Sequence, residues 1–305
     1  TGKKSIRGFG LSVQGRRLMA QEMVEQYDFP VHLVCDFLDL APSSYYYQKK
    51  EVAEQQLEAD LKLVAGQHPT YGTRRLMHQL RRKPYGYQVN RKRVQRLARK
   101  MSLLRPVKRR KTRTTDSQHP YPRYENLVKD LEITYPDMVW VSDITYVRLK
   151  NSFVYLAIIL DVFTRSVRGW CLSYSLDQQL TLEALRMALE KATPLIHHSD
   201  QGVQYAAYAY TDLLKANRIQ ISMAAVGKAE ENGYAERFMR TIKEEEVDLS
   251  EYRDFADAYH QIGMFIQDVY MTKRIHSSLG YLTPTEFEAA YRLSLVSETV
   301  ENTPF

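Results

Sequence analysis

Two cysteines in 305 residues, Cys35 and Cys171, are too few and too far apart for a disulfide framework or a paired-thiol zinc knuckle. Their scarcity fits a reducing compartment, and a cytoplasmic protein is the expectation. Long apolar runs are also missing. The longest, Phe153 to Leu160, falls far short of the ~20 residues that span a bilayer. No hydrophobic stretch follows Lys3, Lys4 and Arg7 as a secretory leader requires. A membrane partner is therefore not expected. There is no repeat of fixed period and no sustained heptad. Acids are absent between Tyr71 and Arg113, a stretch that holds 17 Lys and Arg.

That local absence reflects a wider asymmetry. Residues 1–127 carry 26 basic and 11 acidic residues, net +15, whereas residues 128–305 carry 17 and 25, net −8. A basic front on an acidic rear suggests a region that grips a polyanion joined to one that uses metal. Double-stranded DNA is the expected partner.

Residues 1–15 contain Gly and Ser and are expected to form a poorly ordered tail. Residues 16–50 read as a small helical module, broken at Pro30 and restarted at Pro42-Ser43. It is either a helix-turn-helix, with Ser43 to Tyr47 near its reading end, or a plain helical adaptor. Residues 51–104 read as a basic helix-turn-helix module. Thr73, Leu76, Met77 and Leu80 share one helical face. Asn90 is a natural N-cap, and Val94, Leu97, Ala98 and Met101 repeat the same spacing. The remaining faces carry Arg74, Arg75, Arg91, Lys92, Arg93 and Arg96, a density suited to neutralising phosphates. Residues 105–126 read as a basic, proline-containing linker whose Lys108, Arg109 and Arg110 could track a DNA backbone.

From about residue 127 the pattern changes. Strands are predicted at Met138–Arg148, Phe153–Asp161, Ser166–Tyr174, Leu195–His198 and Ile219–Ser222. Helices are predicted at Gln178–Lys191, Ala206–Asn217 and Glu231–Val247. This is an α/β unit with a mixed sheet, covering 127–250. Residues 251–305 read as a helical extension. Thr283-Pro284-Thr285-Glu286 looks like a capped helix start, and the last dozen residues are expected to be loose.

Three acids stand out. Asp143 interrupts an apolar strand, Asp200 ends the run from Leu195, and Glu236 lies early in a charged helix. Distant carboxylates that a fold can gather suit a two-metal phosphoryl-transfer site, because carboxylate oxygens are hard ligands for Mg²⁺ or Mn²⁺. Asp161 reads as a structural acid at a strand end. His197 and His198 lack zinc partners at the right spacing, and His198 is expected to order its loop by hydrogen bonding. Gly202 is expected to let the backbone come close to metal or DNA. Lys243, two turns beyond Glu236, shares its helical face. A DNA phosphate beside the metals is its expected contact. Arg240 is also on that face, as a DNA contact or as a surface partner of Glu236.

These residues lie in an ordered series: Trp140-Val141-Ser142-Asp143-Ile144-Thr145-Tyr146, Leu160 to Arg165, His198 to Tyr205, Asn232 to Phe238 with Lys243, and Arg274 to Tyr281. The series resembles DDE transposases with a retroviral-integrase-like core, of the OrfB type found in bacterial two-frame insertion elements. The resemblance covers roughly residues 18–292. It implies an RNase H-like core preceded by all-α helix-turn-helix modules. It also implies Asp143, Asp200 and Glu236 as catalytic metal ligands for two Mg²⁺ ions (Mn²⁺ as substitute), with Asp143 shared between them. Implied too are metal-dependent DNA cleavage and strand transfer, a homo-oligomer on DNA, an upstream OrfA-type partner or fused segment, and association with the nucleoid through DNA. Two rival readings stay open: an inactive DNA-binding regulator, and an RNase H-like nuclease without strand transfer. Two positions depart from the family pattern. Glu231 stands where Asp is usual, and Met271 follows Tyr270 where Asn is usual.

Overall fold

The computed structural model describes residues 11–47, 52–104, 121–225 and 228–301. Lys108, Arg109 and Arg110 lie outside the described residues, as does most of the segment read as a linker. The chain forms two compact units, Thr1–Asp60 and Leu61–Phe305.

The first unit holds three short helices, α1 (Val13–Tyr27), α2 (Val31–Phe37) and α3 (Pro42–Tyr45). The Ser12 hydroxyl accepts from the Gly15 amide and starts α1 inside the segment expected to be a tail. Asp28, at φ 54°, ends it, and Pro30 and Pro42 begin the next two helices. Ala20, Val34, Cys35, Leu38 and Leu40 make its small core. Arg16 donates to the carbonyls of Leu38 and Asp39. Tyr46 and Tyr47 are exposed at the expected reading end.

Helix α4 (Val52–Gln67) crosses the boundary between the units. In the second unit α5 (Thr73–Arg81) and α6 (Arg91–Lys100) pack through Leu76, Met77, Leu80, Val94, Leu97 and Ala98, the seam expected from their spacing. The Asn90 side chain accepts from the Arg93 amide at 2.9 Å. Arg81 clamps the turn by donating to the Val89 carbonyl.

The sheet has the order β3-β2-β1-β4-β5, with β1 (Val139–Arg148), β2 (Phe153–Asp161), β3 (Val167–Ser173), β4 (Ile196–Ser199) and β5 (Gln220–Met223). The β1–β2 and β2–β3 pairs are antiparallel; β1–β4 and β4–β5 are parallel. Helices cover both faces. On one, α7 (Gln178–Leu189), α8 (Val203–Ala206) and α9 (Tyr208–Ala216) bury Trp140, Ile159 and Leu185. On the other, α10 (Gly233–Ile242) and α11 (Phe255–Met264) bury Val139, Val141 and Ile196. Gly169 of β3 allows α7 this close, since a Cβ there would meet the Ala184 carbonyl at 2.1 Å. This is the RNase H-like arrangement.

Three local expectations are corrected. The helix predicted at Ala206–Asn217 starts at Val203 and breaks at Ala207, whose ψ of 140° separates α8 from α9. The long helix predicted from Glu231 opens as a 3₁₀ turn, becomes α10, and widens to a π-helical turn at Lys243–Val247. Of the last dozen residues, expected to be loose, those up to Glu301 continue α12 (Pro284–Glu301). Thr283 and Glu286 start that helix with a reciprocal capping box, and Arg168 ties it to the sheet by pairing with Glu288 at 2.6 Å and Asp137 at 2.7 Å.

Candidate active site

Strand register brings the first two acids together. Val141 of β1 pairs with His198 of the parallel strand β4. Asp143 and Asp200 each stand two residues beyond that pair, so both point to the sheet face shared with Val141. That face carries α10, which brings Glu236 in its first turn. All three acids are neither exposed nor sealed off.

Their mutual influence is visible on Asp143. Burial, then the Asp200 charge and more weakly that of Glu236, push its carboxyl up to about 7, against the Ile144 amide and the Lys243 charge. A pocket of hard oxygen donors short of positive charge fits a divalent cation. Among the described residues no three His, Cys, Asp or Glu side chains are gathered tightly enough to hold one ion.

Backbone contacts aim these acids. Asp143 accepts from the Ile144 amide at 2.8 Å, and Asp200 from the Gly202 amide at 3.0 Å. A Cβ at Gly202 would stand 3.0 Å from that same Asp200 oxygen, so glycine is needed for the close approach. The Asn232 side chain donates to the Ser142 carbonyl at 3.0 Å, fastening the start of α10 beside Asp143. Glu231, longer than the usual Asp, accepts from the Ala225 amide and the Asn126 side chain, which holds its pKa low. Tyr205 is buried, and after burial and Tyr210 the charges of Asp143 and Asp200 raise its pKa and keep it neutral. Asn232 and Tyr205 carry these roles without a spacing signal of their own.

The structural reading of Asp161 holds. It is fully buried and accepts from the Thr164 amide and hydroxyl and from the Asp137 amide. His198 meets the Ser222 hydroxyl at 2.8 Å, and His197 meets the Tyr210 hydroxyl at 2.9 Å. Burial lowers both histidines, to about 4 and about 3, so both are neutral struts. Met271 accepts from the Val167 amide through sulfur at 3.4 Å.

The cations divide. Lys243 places its ammonium 4.6 Å from the Tyr146 ring and close enough to act on Asp143. Arg240 is exposed on α10. Arg74, Arg91, Lys92 and Arg96 are exposed, and Arg93 is partly covered. Arg75 turns inward instead, 3.8 Å from Glu245 and over the Tyr71 ring.

Comparison with known proteins agrees with this architecture. Residues 133–229 and 217–284 match two family models described as integrase core domain, and residues 51–111 match one described as HTH-like domain. The chain is 32% identical over 269 residues to an uncharacterized 31 kDa protein of insertion element IS600 from Shigella sonnei, covering 85% of this chain and 98% of that protein. It is 31% identical over 291 residues to the transposase of insertion sequence IS629 from Shigella sonnei, covering 91% and 97%. The InsF transposase of IS3A from Escherichia coli K12 is 29% identical over 276 residues, covering 86% and 95%. Among solved structures, the HTLV-2 integrase catalytic core in complex with magnesium aligns at 16% identity and a TM-score of 0.39, covering 50% of this chain and 96% of that one. No helix among the described residues is long and apolar enough to cross a membrane. Relatives spanning nearly their whole length, two integrase-core matches and an HTH-like match lead to one conclusion: the chain belongs to the insertion-element transposases, a family of nucleotidyl-transferring enzymes with an integrase core and an HTH-like domain.

Proposed function

We propose that this chain is a DDE transposase that cleaves DNA at the ends of its element and joins the freed ends to a target. The observation that carries this reading is the convergence of Asp143, Asp200 and Glu236 from adjacent parallel strands and a facing helix, with each acid's charge felt at Asp143. Asp143, Asp200 and Glu236 would hold the ions, with Asp143 as the acid common to both. Two Mg²⁺ ions, when bound, supply Lewis-acid stabilisation of the attacking and leaving oxygens. In the first step water attacks a phosphodiester and the bond to the 3′-oxygen breaks, leaving a 3′-hydroxyl and a 5′-phosphate. In the second that hydroxyl attacks a target phosphodiester, a new bond forms, the target's own 3′-oxygen leaves, and the proton passes to solvent. No protein nucleophile takes part. Lys243 holds a backbone phosphate beside the acids. The exposed cations of α5 and α6, with the basic segment that follows, hold the element end through its phosphates; the division into modules at 16–50, 51–104, 105–126, 127–250 and 251–305 is the working scheme.

The test is joining of pre-cleaved element ends in Mg²⁺ or Mn²⁺. Asp143→Asn, Asp200→Asn and Glu236→Gln are each expected to lower joining by at least about a thousandfold, with end binding retained. Joining at the wild-type rate by any of the three would remove that acid from the site. Cleavage without any joining of pre-cleaved ends would favour a nuclease.

A further inference from the structure

Four arginines from distant parts of the chain meet in a pocket of about 340 Å³. Arg75 comes from α5, Arg165 follows β2, Arg237 sits on α10, and Arg274 follows the π-helical turn Phe265–Tyr270. Tyr234, Thr241, His276 and two serines add polar groups, and Leu160, Phe238 and Tyr270 complete the wall. Among the described residues, one carboxylate answers two of the arginines. Glu245 accepts two hydrogen bonds from Arg274, at 2.8 and 2.9 Å, and lies 3.8 Å from Arg75. Among the described residues, no acid pairs with Arg165 or Arg237. The Arg165 guanidinium lies 4.2 Å over the Tyr234 ring, and its buried Nη1 has no hydrogen-bond partner. The pocket therefore carries at least two unanswered positive charges, one with a donor enclosed and unsatisfied. Such a donor costs free energy until an acceptor arrives. His276 registers the field: burial, then Arg274, Arg75, Arg165 and Arg237, push its pKa down to about 2, so the ring is neutral.

We propose that this pocket is a phosphodiester site that takes one backbone phosphate of the DNA on which the acids act. Planar guanidinium forks match the oxygens of a tetrahedral anion, and serine and threonine hydroxyls add neutral donors. Arg274 is the positioning residue, tied to Glu245 and buried. Arg165 and Arg237 are the residues that touch the phosphate. DNA is favoured over a free anion because Arg237 follows Glu236 directly on α10, and because Arg75 belongs to the basic helix pair. A strand passing from that pair to the acids is the polyanion at hand. The site thus deepens the transposase reading and rests on it.

The experiment uses the full chain and duplexes of the element terminus, each with a single neutral methylphosphonate in place of one phosphate. In wild type, one or two adjacent positions should weaken binding by on the order of tenfold. In the double variant Arg165→Gln/Arg237→Gln that penalty should vanish, while penalties elsewhere remain. The slope of log K against log salt should shrink by about 1 for each arginine–phosphate pairing removed. Arg237→Lys, which keeps the charge, should retain more affinity than Arg237→Gln. The free double variant should melt no lower than wild type, because like charges are removed. Equal penalties in both proteins at every position would overturn the proposal. So would a phosphate-dependent rise in melting temperature, abolished in the double variant, with no coupled DNA position; that pattern marks a small-anion site. Joining by the same proteins in Mg²⁺ keeps the two readings apart. A wild type that shows the coupled position but never joins retains the pocket and loses the transposase activity. A wild type that joins with no coupled position does the reverse.

Discussion

Glu236 and Arg237 are neighbours in the chain, yet they serve sites of opposite sign. On one side of α10 the acids Asp143, Asp200 and Glu236 repel one another, with Lys243 as a nearby counter-charge. On another, four arginines line one pocket, and Glu245 pairs with only two of them, Arg274 and Arg75. Each cluster is frustrated in the free protein, and each is relieved by a ligand of the other charge. The difference lies in how they are held. Asp143 and Asp200 hang on sheet register and on short bonds to nearby amides. Arg274 hangs on one buried ion pair that joins the π-helical turn after α10 to the segment after α11. Sheet register resists perturbation, whereas a buried pair fails when either partner goes.

The largest expected effect breaks that pair. Arg274→Met leaves Glu245 without its bidentate partner, and among the described residues Arg75, at 3.8 Å, is the one cation left paired with it. A loss of about 3–5 kcal/mol is expected in urea unfolding. A loss below about 1 kcal/mol would mean that the pocket is held by packing alone and that the contrast with the acid site is false.

Next is the tie between α10 and β1. Asn232→Ala removes the donor to the buried Ser142 carbonyl. It should cost about 1–3 kcal/mol and depress joining of pre-cleaved ends, with end binding unchanged. Joining at the wild-type rate in a destabilised protein would show that Glu236 is aimed by other contacts.

Lys243 tests charge against packing. The joining rate of Lys243→Met should fall roughly tenfold, the effect of removing one charge-assisted hydrogen bond to phosphate, and Lys243→Arg should retain more. Equal rates for both would assign Lys243 to the Tyr146 ring and not to DNA.

The smallest effect has the opposite sign. Without divalent metal, Asp143→Asn should raise stability by up to about 1 kcal/mol, because one of three mutually repelling charges is gone while the Ile144 amide bond is kept. Thermal melting in chelator reads this directly. A lower melting temperature would show that the free site is already neutralised from within.

How far these features could be read in advance follows from the same contrast. Asp143 announces itself because a charge within a β-branched, apolar run is out of place, and the strand bounds came within about two residues because such runs alternate; Asp200, after two histidines and a serine, was legible only through the family motif around it. The capping residues Asn90 and Thr283 were legible because capping is local. Arg75, Arg165, Arg237 and Arg274 share no spacing, so their meeting needs the fold. The break at Ala207 was hidden, since alanine favours helix, and its extended backbone lies between the buried Tyr205 and Tyr210. The π-helical widening at Lys243 likewise leaves no mark in a sequence of good helix formers.

One set of bonds reaches beyond the chemistry. The Tyr71 hydroxyl accepts from the Ile275 amide, His78 stacks on Tyr281, and Arg82 pairs with Glu286. The basic helix pair is thus bolted to the far end of the same unit, about two hundred residues along the chain. For exchange of parts between related elements this sets the seam. A crossover between residues 105 and 126 would import a helix pair whose bolts no longer match, whereas one near Asp60 would carry both halves of the fastening together. Shuffling of DNA specificity in this lineage is therefore expected to move large blocks, not single modules.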